Sequence, residues 1–325
     1  MRSPFAFLLV ASSLAVAFAI PAESSAAPLV PDLGGGVGAW SSPPSPDPLD
    51  PPFTANVQVS ESDTPGNQNE ITVAVASDGR IHMGWNDLRD PNPDYRCGYS
   101  YSTDGGLTWS ANRLFILPGW EAAGDPVLLV DSNDDAYFIC MSFNRTVWAS
   151  RIVVYKSTDG GVTWSAGTFA SDTTTGLNDK PWGYAIGTTL FVCYANFGAA
   201  PNELRVTRSF DGGLTWEPTQ VVDFSGNGCG YAHTSSTNVI VGWLRGGAIY
   251  AYRSTNGGAT WGAATLVGAA PFSPAGDQRA GALPSFAADP ARGRLYAVWP
   301  ANDGLGTWDG RSSRTTDGGA TWSAP

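Results

Sequence analysis

The stretch that decides the fold is STDGGLTW, residues 102–109, because close copies of it recur along the chain. Each copy reads Ser/Thr-x-Asp/Asn-Gly-Gly-x-Thr-Trp. The other copies lie at 157–164, 209–216, 254–261 and 315–322, so that successive copies start 45 to 61 residues apart. A period of this size indicates a repeated supersecondary unit that stacks on its neighbours to bury its apolar faces.

The sequence around each copy predicts four short strands. From residue 54 onward, apolar and polar residues alternate in short segments separated by Gly, Asn and Asp, without helical periodicity. The second strands are predicted at IHMGWND, YFICMSF, LFVCYAN, VIVGWLR and LYAVWPA, which place large residues in register: Trp85, Met141, Tyr194, Trp243 and Trp299. Four antiparallel strands per repeat, arranged in a ring, form a β-propeller.

We therefore predict an all-β fold, a β-propeller of four-stranded antiparallel blades, with five blades visible in the sequence. The chain ends at Pro325, shortly after the last motif and before the fourth strand of that blade. This position favours a propeller truncated at its C-terminus, with six blades in the complete protein. The alternative is a five-bladed ring in which a strand at 54–60 completes the last blade.

The N-terminal region predicts export. Residues 1–26 have the features of a signal peptide: Arg2 precedes an apolar run, and small-residue patterns follow at 17–19 and 24–26. Residues 27–53 form a Pro/Gly/Ser-rich linker, and 54–325 form the propeller. Because no later stretch is long enough to span a bilayer, we expect a secreted, periplasmic or cell-surface protein.

The charge balance argues against two classes of partner. The formal net charge is −11, and only two of the 18 basic residues are lysines. Nucleic acids and anionic membranes bind clustered Lys and Arg side chains, which displace their counterions. We therefore predict no nucleic-acid partner and no attachment to anionic membranes.

The cysteines and acidic clusters predict no metal site and no cofactor. Export would permit disulfides among the four cysteines, but Cys140 and Cys193 occupy matching positions in adjacent blades and are predicted to be buried apolar residues rather than a pair. The other cysteines are Cys97 and Cys229. The DSNDD stretch at 131–135 is similar to the start of a calcium loop but lacks the glycine at its sixth position, so we predict a hairpin turn there.

The repeated motif itself predicts a structural role. The Gly-Gly pair permits the positive φ values of a tight turn, the Asp or Asn accepts hydrogen bonds from the turn, and the Trp packs between neighbouring blades. Asn256 keeps the acceptor oxygen without the charge, which a turn tolerates better than a catalytic or metal site does. The structural positions are Asp104, Asp159, Asp211, Asn256 and Asp317, with Trp109, Trp164, Trp216, Trp261 and Trp322.

The five motifs resemble the Asp-boxes, or bacterial neuraminidase repeats, of the sialidase superfamily. The resemblance implies an Asp-box β-propeller whose boxes lie between the third and fourth strands, on the face away from the active site. It also implies hydrolysis of terminal sialic acid or related glycosides. Since Asp-boxes occur in non-catalytic propellers too, the alternatives are an extracellular propeller that binds glycan or protein, and a scaffold module of a longer surface protein.

The resemblance implies a set of site residues on the opposite face. Sialidases bind the substrate carboxylate with three arginines, and use a Tyr paired with a Glu as nucleophile and an Asp as acid/base. The Arg-Ile-Pro motif of the family is absent, and the nearest stretch, at 89–91, follows a second strand instead. The candidate clamp is Arg89, Arg245 and Arg279. The catalytic candidates are Asp87 or Asp125 as acid/base, Tyr231 as a substitute nucleophile, and Glu70; further substrate-binding candidates are Asp179, Lys180 and His233.

Overall fold

The computed structural model describes residues 56–60, 68–88, 95–172, 176–271, 283–302 and 308–325. The predicted signal peptide and linker lie outside the described residues, as do Arg89 and Arg279. Regular structure in the described part is almost entirely β-strand. None of its helices is long and apolar enough to cross a membrane.

The strands form five antiparallel sheets, which correspond to the five predicted blades. Blade 1 contains β1 (Gln68–Val75), β2 (Ile81–Asp87), β3 (Arg96–Ser102) and β4 (Arg113–Phe115). Blade 2 contains β5 (Ala122–Val130), β6 (Ala136–Asn144), β7 (Ala149–Ser157) and β8 (Thr168–Phe169). Blade 3 contains β9 (Asn178–Ile186), β10 (Thr189–Asn196), β11 (Glu203–Ser209) and β12 (Gln220–Phe224). Blade 4 contains β13 (Gly226–His233), β14 (Val239–Arg245), β15 (Ala248–Ser254) and β16 (Ala264–Ala269). In blade 5 the described strands are β17 (Ser285–Asp289), β18 (Arg294–Asn302) and β19 (Trp308–Thr315), with a short 3-10 helix, Pro290–Arg292, between the first two.

Strands within each blade are hydrogen-bonded in chain order, so every connection is a hairpin. The first strand of each blade also contacts the first strand of the preceding blade: β5 contacts β1, β9 contacts β5, β13 contacts β9, and β17 contacts β13. The first strands therefore lie side by side at the centre of the propeller. The predicted all-β fold of antiparallel blades is confirmed.

The apolar core is divided into four clusters, one between each pair of successive blades. Successive side chains of a strand point to opposite faces of its sheet, so one strand serves two clusters. In β14, Val241 and Trp243 pack towards blade 3, whereas Ile240 packs towards blade 5. Burying each such side chain stabilises the fold by about 1.5–3 kcal/mol.

The eight-residue motifs follow the third strands and form a turn with a fixed set of hydrogen bonds. In the first copy, Asp104 Oδ1 accepts hydrogen bonds from the Ser102 hydroxyl (2.8 Å) and the Thr108 N–H (2.9 Å), and Oδ2 accepts one from the Thr108 hydroxyl (2.5 Å). The following glycines, Gly105 and Gly106, have φ values of 73° and 90°. The bonds from Thr108 and Ser102 lower the pKa of Asp104 to about 2. Asp104 therefore accepts hydrogen bonds within the turn.

The fourth copy tests that role with a neutral side chain. Asn256 Oδ1 accepts hydrogen bonds from the Ser254 hydroxyl and the Thr260 N–H, both at 2.9 Å. Its Nδ2 then donates to the Thr260 hydroxyl (2.8 Å), where an aspartate would accept. The turn therefore keeps its geometry without the negative charge.

The tryptophan of the second motif packs on the preceding blade. Trp164 meets Tyr99 and Phe115 of blade 1 edge to face, with ring centroids 4.9 and 5.4 Å apart. Its indole N–H donates to the carbonyl of Gly161 (3.0 Å). The ring thus lies between blades 1 and 2 and is half-buried.

The prediction for the cysteines was right in part: Cys140 and Cys193 do not pair with each other, but neither is a free thiol. Cys140 and Cys193 are buried, but each forms a disulfide with another partner: Cys97 pairs with Cys140 and Cys193 with Cys229, with Cα–Cα distances of 6.7 and 6.3 Å. Each bond links neighbouring blades through strands that hold different positions in their blades. One joins the third strand of blade 1 to the second of blade 2 (β3 with β6), and the other joins the second strand of blade 3 to the first of blade 4 (β10 with β13). The sequence comparison considered only matching strands, which is why it missed both pairs.

The acidic stretch at 131–135 is a turn, as predicted. Asp131 Oδ1 accepts hydrogen bonds from the N–H groups of Asn133 (2.8 Å) and Asp135 (3.1 Å), and Oδ2 accepts one from the Tyr137 hydroxyl (2.9 Å). Its oxygens are therefore used within the hairpin. Across the described residues, no group of three His, Cys, Asp or Glu side chains is arranged to hold a metal ion.

Candidate functional site

The two ends of the blades differ in chemistry. The Asp-boxes occupy one end, together with the turns between first and second strands: the Gly257 N–H of the fourth box donates to the carbonyl of Thr237 in the β13–β14 turn (2.9 Å). Antiparallel strands place the loops between second and third strands at the other end, with the starts of the first strands. We call this end the open face. The rigid blades hold its loops in place, which makes it the candidate site.

Four first strands begin at the open face with the same backbone irregularity. Each contains a β-bulge and a residue with positive φ: Glu70 (55°), Asp125 (53°), Lys180 (50°) and Gly228 (59°). A left-handed backbone suits glycine and costs other residues roughly 1–3 kcal/mol. Since bulges re-aim side chains, the strained positions direct three charged groups towards one place.

These three charged residues meet between blades 1, 2 and 3. Lys180 Nζ lies 3.1 Å from both carboxyl oxygens of Glu70 and 3.2 Å from Asp125 Oδ1. The Lys180 N–H donates to Asp125 Oδ2 (3.2 Å) and to Asp179 Oδ1 (2.9 Å). The side chains of Glu70, Asp125 and Lys180 are only 8–9% exposed. We call Glu70, Asp125, Asp179 and Lys180 the axial cluster.

The environment separates the pKa values of the three carboxyls. Burial and the charge of Asp125 raise the pKa of Glu70 to about 8, and the same two causes raise the pKa of Asp179 well above its ordinary value. Burial alone would also raise the pKa of Asp125, but Lys180 and hydrogen bonds from Glu70 and Asp179 hold it below its usual range. Asp125 therefore keeps its charge beside the Lys180 ammonium, whereas the raised pKa of Glu70 favours its protonated form at neutral pH.

An asparagine at the end of β2 supports the cluster. Asn86 Oδ1 accepts a hydrogen bond from the Asp125 N–H (2.9 Å), and its Nδ2 donates to Asn69 Oδ1 (3.0 Å). Asn86 thus ties the bulge of β5 to the bulge of β1. Among the site candidates, the structure brings together Glu70, Asp125, Asp179 and Lys180.

Two other candidates at the open face are already engaged within the protein. Asp87 is fully buried, and its Oδ2 accepts a hydrogen bond from the indole N–H of Trp85 (2.6 Å), so its predicted acid/base role is corrected to a structural one. Arg245 NH1 donates to Asp223 Oδ1 of blade 3 (2.7 Å), and its guanidinium lies 4.4 Å from the ring centroid of Tyr250. Of the predicted clamp, Arg245 is the only member within the described residues, and it forms an ion pair with this neighbouring acid.

The two candidates on β13 do not lie at the start of that strand. The strand begins at Gly226, so Tyr231 lies within it and His233 ends it on the Asp-box face. Tyr231 is fully buried, donates to the carbonyl of Val192 (3.2 Å), and has its pKa raised by burial. His233 is half-buried, with its ring 4.9 Å from that of Tyr184. Neither residue reaches the open face, so both predicted roles are corrected.

The axial cluster has the electrostatics of an acid–base pair but not its spacing. A protonated acid beside an ionised carboxylate is the arrangement that divides roles in many hydrolases. Glycosidases that use two carboxyls hold them about 5–5.5 or 6.5–9.5 Å apart, with the sugar between them. Glu70 and Asp125 instead hydrogen-bond to each other and share the Lys180 ammonium. No glycosidic bond fits between them in this arrangement.

Five motif turns on a ring of antiparallel blades define an Asp-box β-propeller. A family model for the BNR repeat-like domain matches residues 120–274, and a model for the BNR/Asp-box repeat matches residues 100–111. A sialidase of Bacteroides fragilis is 27% identical over 207 residues, which are 53% of this chain and 36% of that protein. The chain is therefore similar to BNR-repeat proteins, through the BNR repeat-like match at 120–274 and the Asp-box match at 100–111.

Solved structures share the fold at low sequence identity. The Hadza microbial sialidase has a TM-score of 0.55 and 16% identity, with 78% of this chain and 57% of that chain covered. The Penicillium chrysogenum alpha-L-arabinanase complexed with arabinobiose has a TM-score of 0.51 and 15% identity, with 75% of this chain and 80% of that chain covered. The chain thus spans about a third of the curated sialidase and little more than half of the solved one.

Sequence reasoning missed the residues that shape the cluster without being charged. The sequence candidates included Asp87 but not its neighbour Asn86. They included Tyr231 but not Gly228, which lies at the bulge of blade 4. The dipeptides at the four bulges differ in sequence: Asn69-Glu70, Gly124-Asp125, Asp179-Lys180 and Asn227-Gly228. No repeated pattern therefore marked these positions in the sequence.

Proposed function

We propose that this protein is an exported, non-catalytic propeller that binds glycans at its open face. The observation that carries the proposal is the mutual pairing of charges there: Lys180 with Glu70 and Asp125, and Arg245 with Asp223. A sialidase-type clamp needs arginines that can offer both N–H groups to a substrate carboxylate. The described arginine of the predicted clamp is instead committed to an acid of the neighbouring blade.

The glycan part of the proposal is supported by the kind of propeller that this chain resembles. The similar proteins are named as sialidases and an arabinanase, and one is complexed with arabinobiose. This support is an analogy of fold, since function depends on the residues grafted onto a scaffold. A protein partner at the same face is the competing outcome of the test.

The exported part of the proposal is supported by the predicted signal peptide at 1–26 and by the two inter-blade disulfides. Disulfides form and persist in oxidising compartments. A net charge of −11 suits a protein that stays in solution outside the cytoplasm. We therefore propose a secreted, periplasmic or cell-surface location.

The test combines binding and turnover on the same purified protein. A glycan microarray measures binding, and fluorogenic α-sialosides and α-L-arabinofuranosides measure hydrolysis. The proposal expects binding to a defined set of glycans and no turnover of either substrate. Turnover that disappears in Arg245→Ala would overturn it in favour of a sialidase-type site, because that outcome requires Arg245 to leave Asp223 and bind substrate.

A second candidate function is glycoside hydrolysis at the axial cluster. The observation in its favour is the protonated Glu70 beside the ionised Asp125, which would act as general acid and as base. This candidate requires Lys180 to move so that a sugar can enter. It predicts turnover that is abolished in Glu70→Gln and retained in Arg245→Ala, which separates it from the sialidase-type site.

A further inference from the structure

Two exposed aromatic side chains lie on neighbouring loops of the open face. Trp148 ends the loop between β6 and β7 and is 57% exposed. Phe197 begins the loop between β10 and β11 and is 37% exposed. Large apolar side chains at this exposure often mark binding surfaces when they occur together. None of the sequence candidates includes either residue.

The loop that carries Trp148 has a fixed conformation. Asn144 Oδ1 accepts hydrogen bonds from the N–H groups of Thr146 (3.0 Å) and Val147 (3.2 Å). The carboxylate of Glu121 accepts one from the Arg145 N–H (2.7 Å) and another from the Thr146 hydroxyl. A ring held on such a loop loses little freedom when a ligand binds, which favours affinity.

The backbone at Trp148 is strained. Its φ is 52°, in the left-handed region that bulky residues rarely occupy. Strain of this kind is most often retained at ligand-binding and switch regions. Because more than half of the ring is exposed, burial in the core does not account for the choice of tryptophan over glycine at this position.

Residues 176–177 bring the two aromatic loops together. Ala149, next to Trp148, forms a parallel bridge with Gly176. The Phe197 N–H donates to the carbonyl of Leu177 (2.8 Å). Gly176 also approaches the second loop so closely that an added Cβ would lie 2.0 Å from Gly198 Cα. The backbones that carry Trp148 and Phe197 therefore flank the same short segment from its two sides.

We infer that Trp148 and Phe197 form an aromatic platform that stacks against the rings of an oligosaccharide. Sugar rings present C–H faces to aromatic rings while their hydroxyl groups remain in water, so an exposed pair on a rigid loop suits them. The platform deepens the proposed function and rests on it. It names where the glycan binds: on the rim of blades 2 and 3, next to the axial cluster rather than within it.

The experiment measures binding of 3′-sialyllactose and of an α-1,5-arabino-oligosaccharide by isothermal titration calorimetry. Trp148→Ala and Phe197→Ala are each expected to weaken binding of the preferred sugar at least tenfold. The matched control is Phe210→Ala, since Phe210 is also 57% exposed but lies in the third Asp-box, on the opposite face. The affinity of Phe210→Ala for the preferred sugar is expected to match that of the wild type.

A glycine variant separates a binding role from a structural one. Glycine adopts the φ of Trp148 without strain, so Trp148→Gly is expected to keep or raise the Tm while binding falls. A lower Tm with unchanged affinity would show that the ring only stabilises its loop, and would overturn the platform.

The outcomes also separate the platform from the proposed function. Glycan binding that survives in both alanine variants overturns the platform and leaves the proposed function standing. A wild-type protein that binds no glycan on the microarray overturns both. Capture of a protein ligand through Trp148 would likewise overturn the assignment to a sugar.

Discussion

The Asp-box face and the open face repeat in different ways. On the Asp-box face, the first Ser or Thr of each motif donates to the Oδ1 atom of its Asp in successive blades, and Asn256 keeps this bond. On the open face, the backbone bulge repeats but its residue changes: Glu70, Asp125, Lys180 and Gly228. A turn held by side chains needs the same atoms each time, whereas a bulge held by strand pairing leaves its side chain free to vary. Side chains that differ from blade to blade therefore occur on the open face, where the backbone alone maintains the repeat.

The largest effect is expected from removing the cation of the axial cluster. Lys180→Met should lower the free energy of unfolding by about 3–5 kcal/mol, because it leaves a buried carboxylate without its counter-charge. Urea denaturation at pH 7 measures the change. The comparison predicts that no single charge on the Asp-box face has such an effect.

The control for that prediction is Lys156→Met. Lys156 Nζ pairs with Asp135 at 2.8 Å, but both side chains are more exposed than those of the axial cluster. This pair is partly exposed, so its loss is expected to cost less than the loss of Lys180 and to lie nearer the value of about 0–1 kcal/mol for exposed ion pairs. If Lys180→Met and Lys156→Met lose equal free energy of unfolding, the charges of the open face are not more strongly coupled than those of the Asp-box face.

The next largest effect is expected from the tryptophan of the second Asp-box. Trp164→Ala should lower the free energy of unfolding by about 2–4 kcal/mol, since the ring packs on Tyr99 and Phe115 but is only half-buried. Thermal unfolding and urea denaturation of Trp164→Ala and the wild type measure this change in the free energy of unfolding. A near-neutral result would show that the motif stabilises its own turn and not the contact between blades.

The fold could be predicted from the sequence because its signals are local and repeated. STDGGLTW and its copies fix the turn, and the register of Trp85 with Trp243 fixes the second strands. Both signals depend on residues close together in the chain. Because the unit repeats, the stacking of the blades can be predicted without knowing the long-range contacts.

The site could be predicted only in part, because its decisive features are long-range. The charges of Glu70 and Lys180 are visible in the sequence, but their pairing depends on bulges in strands 110 residues apart. The burial of Asp87 and the disulfide of Cys97 with Cys140 depend on how neighbouring blades face each other. The sequence pattern gives the order of the blades but not these contacts.

Glu70 on the open face and Asp104 on the Asp-box face are expected to change stability with pH in opposite directions. The pKa of Glu70 is raised to about 8, so the folded state holds a proton that the unfolded state releases near pH 4.5, and stability falls as pH rises between these values. The pKa of Asp104 is lowered to about 2, so its contribution is lost as pH falls towards that value. Glu70 changes the free energy of unfolding by at most about 1.4 kcal/mol per pH unit.

The measurement is urea denaturation of the wild type and of Glu70→Gln between pH 6.5 and 8. Burial lowers the pKa of His82 to about 4, so its unfolded form still releases a proton near pH 6.5. This contribution is common to the two proteins and cancels when their curves are compared. The wild type should lose stability across this interval, and the variant should lose less. Parallel curves for the two proteins would show that Glu70 is ionised in the folded state.

The smallest effect concerns the one box that lacks a charge. Asn256→Ala should cost about 1 kcal/mol, because three hydrogen bonds to Ser254 and Thr260 are lost at an exposed turn. Asn256→Asp should change stability by less than about 0.5 kcal/mol, since the Thr260 hydroxyl can rotate to donate where it now accepts. Thermal unfolding compares the two variants with the wild type. If the alanine variant is as stable as the aspartate variant, the glycines alone hold the turn, and the contrast between a face built on side chains and a face built on backbone would no longer hold.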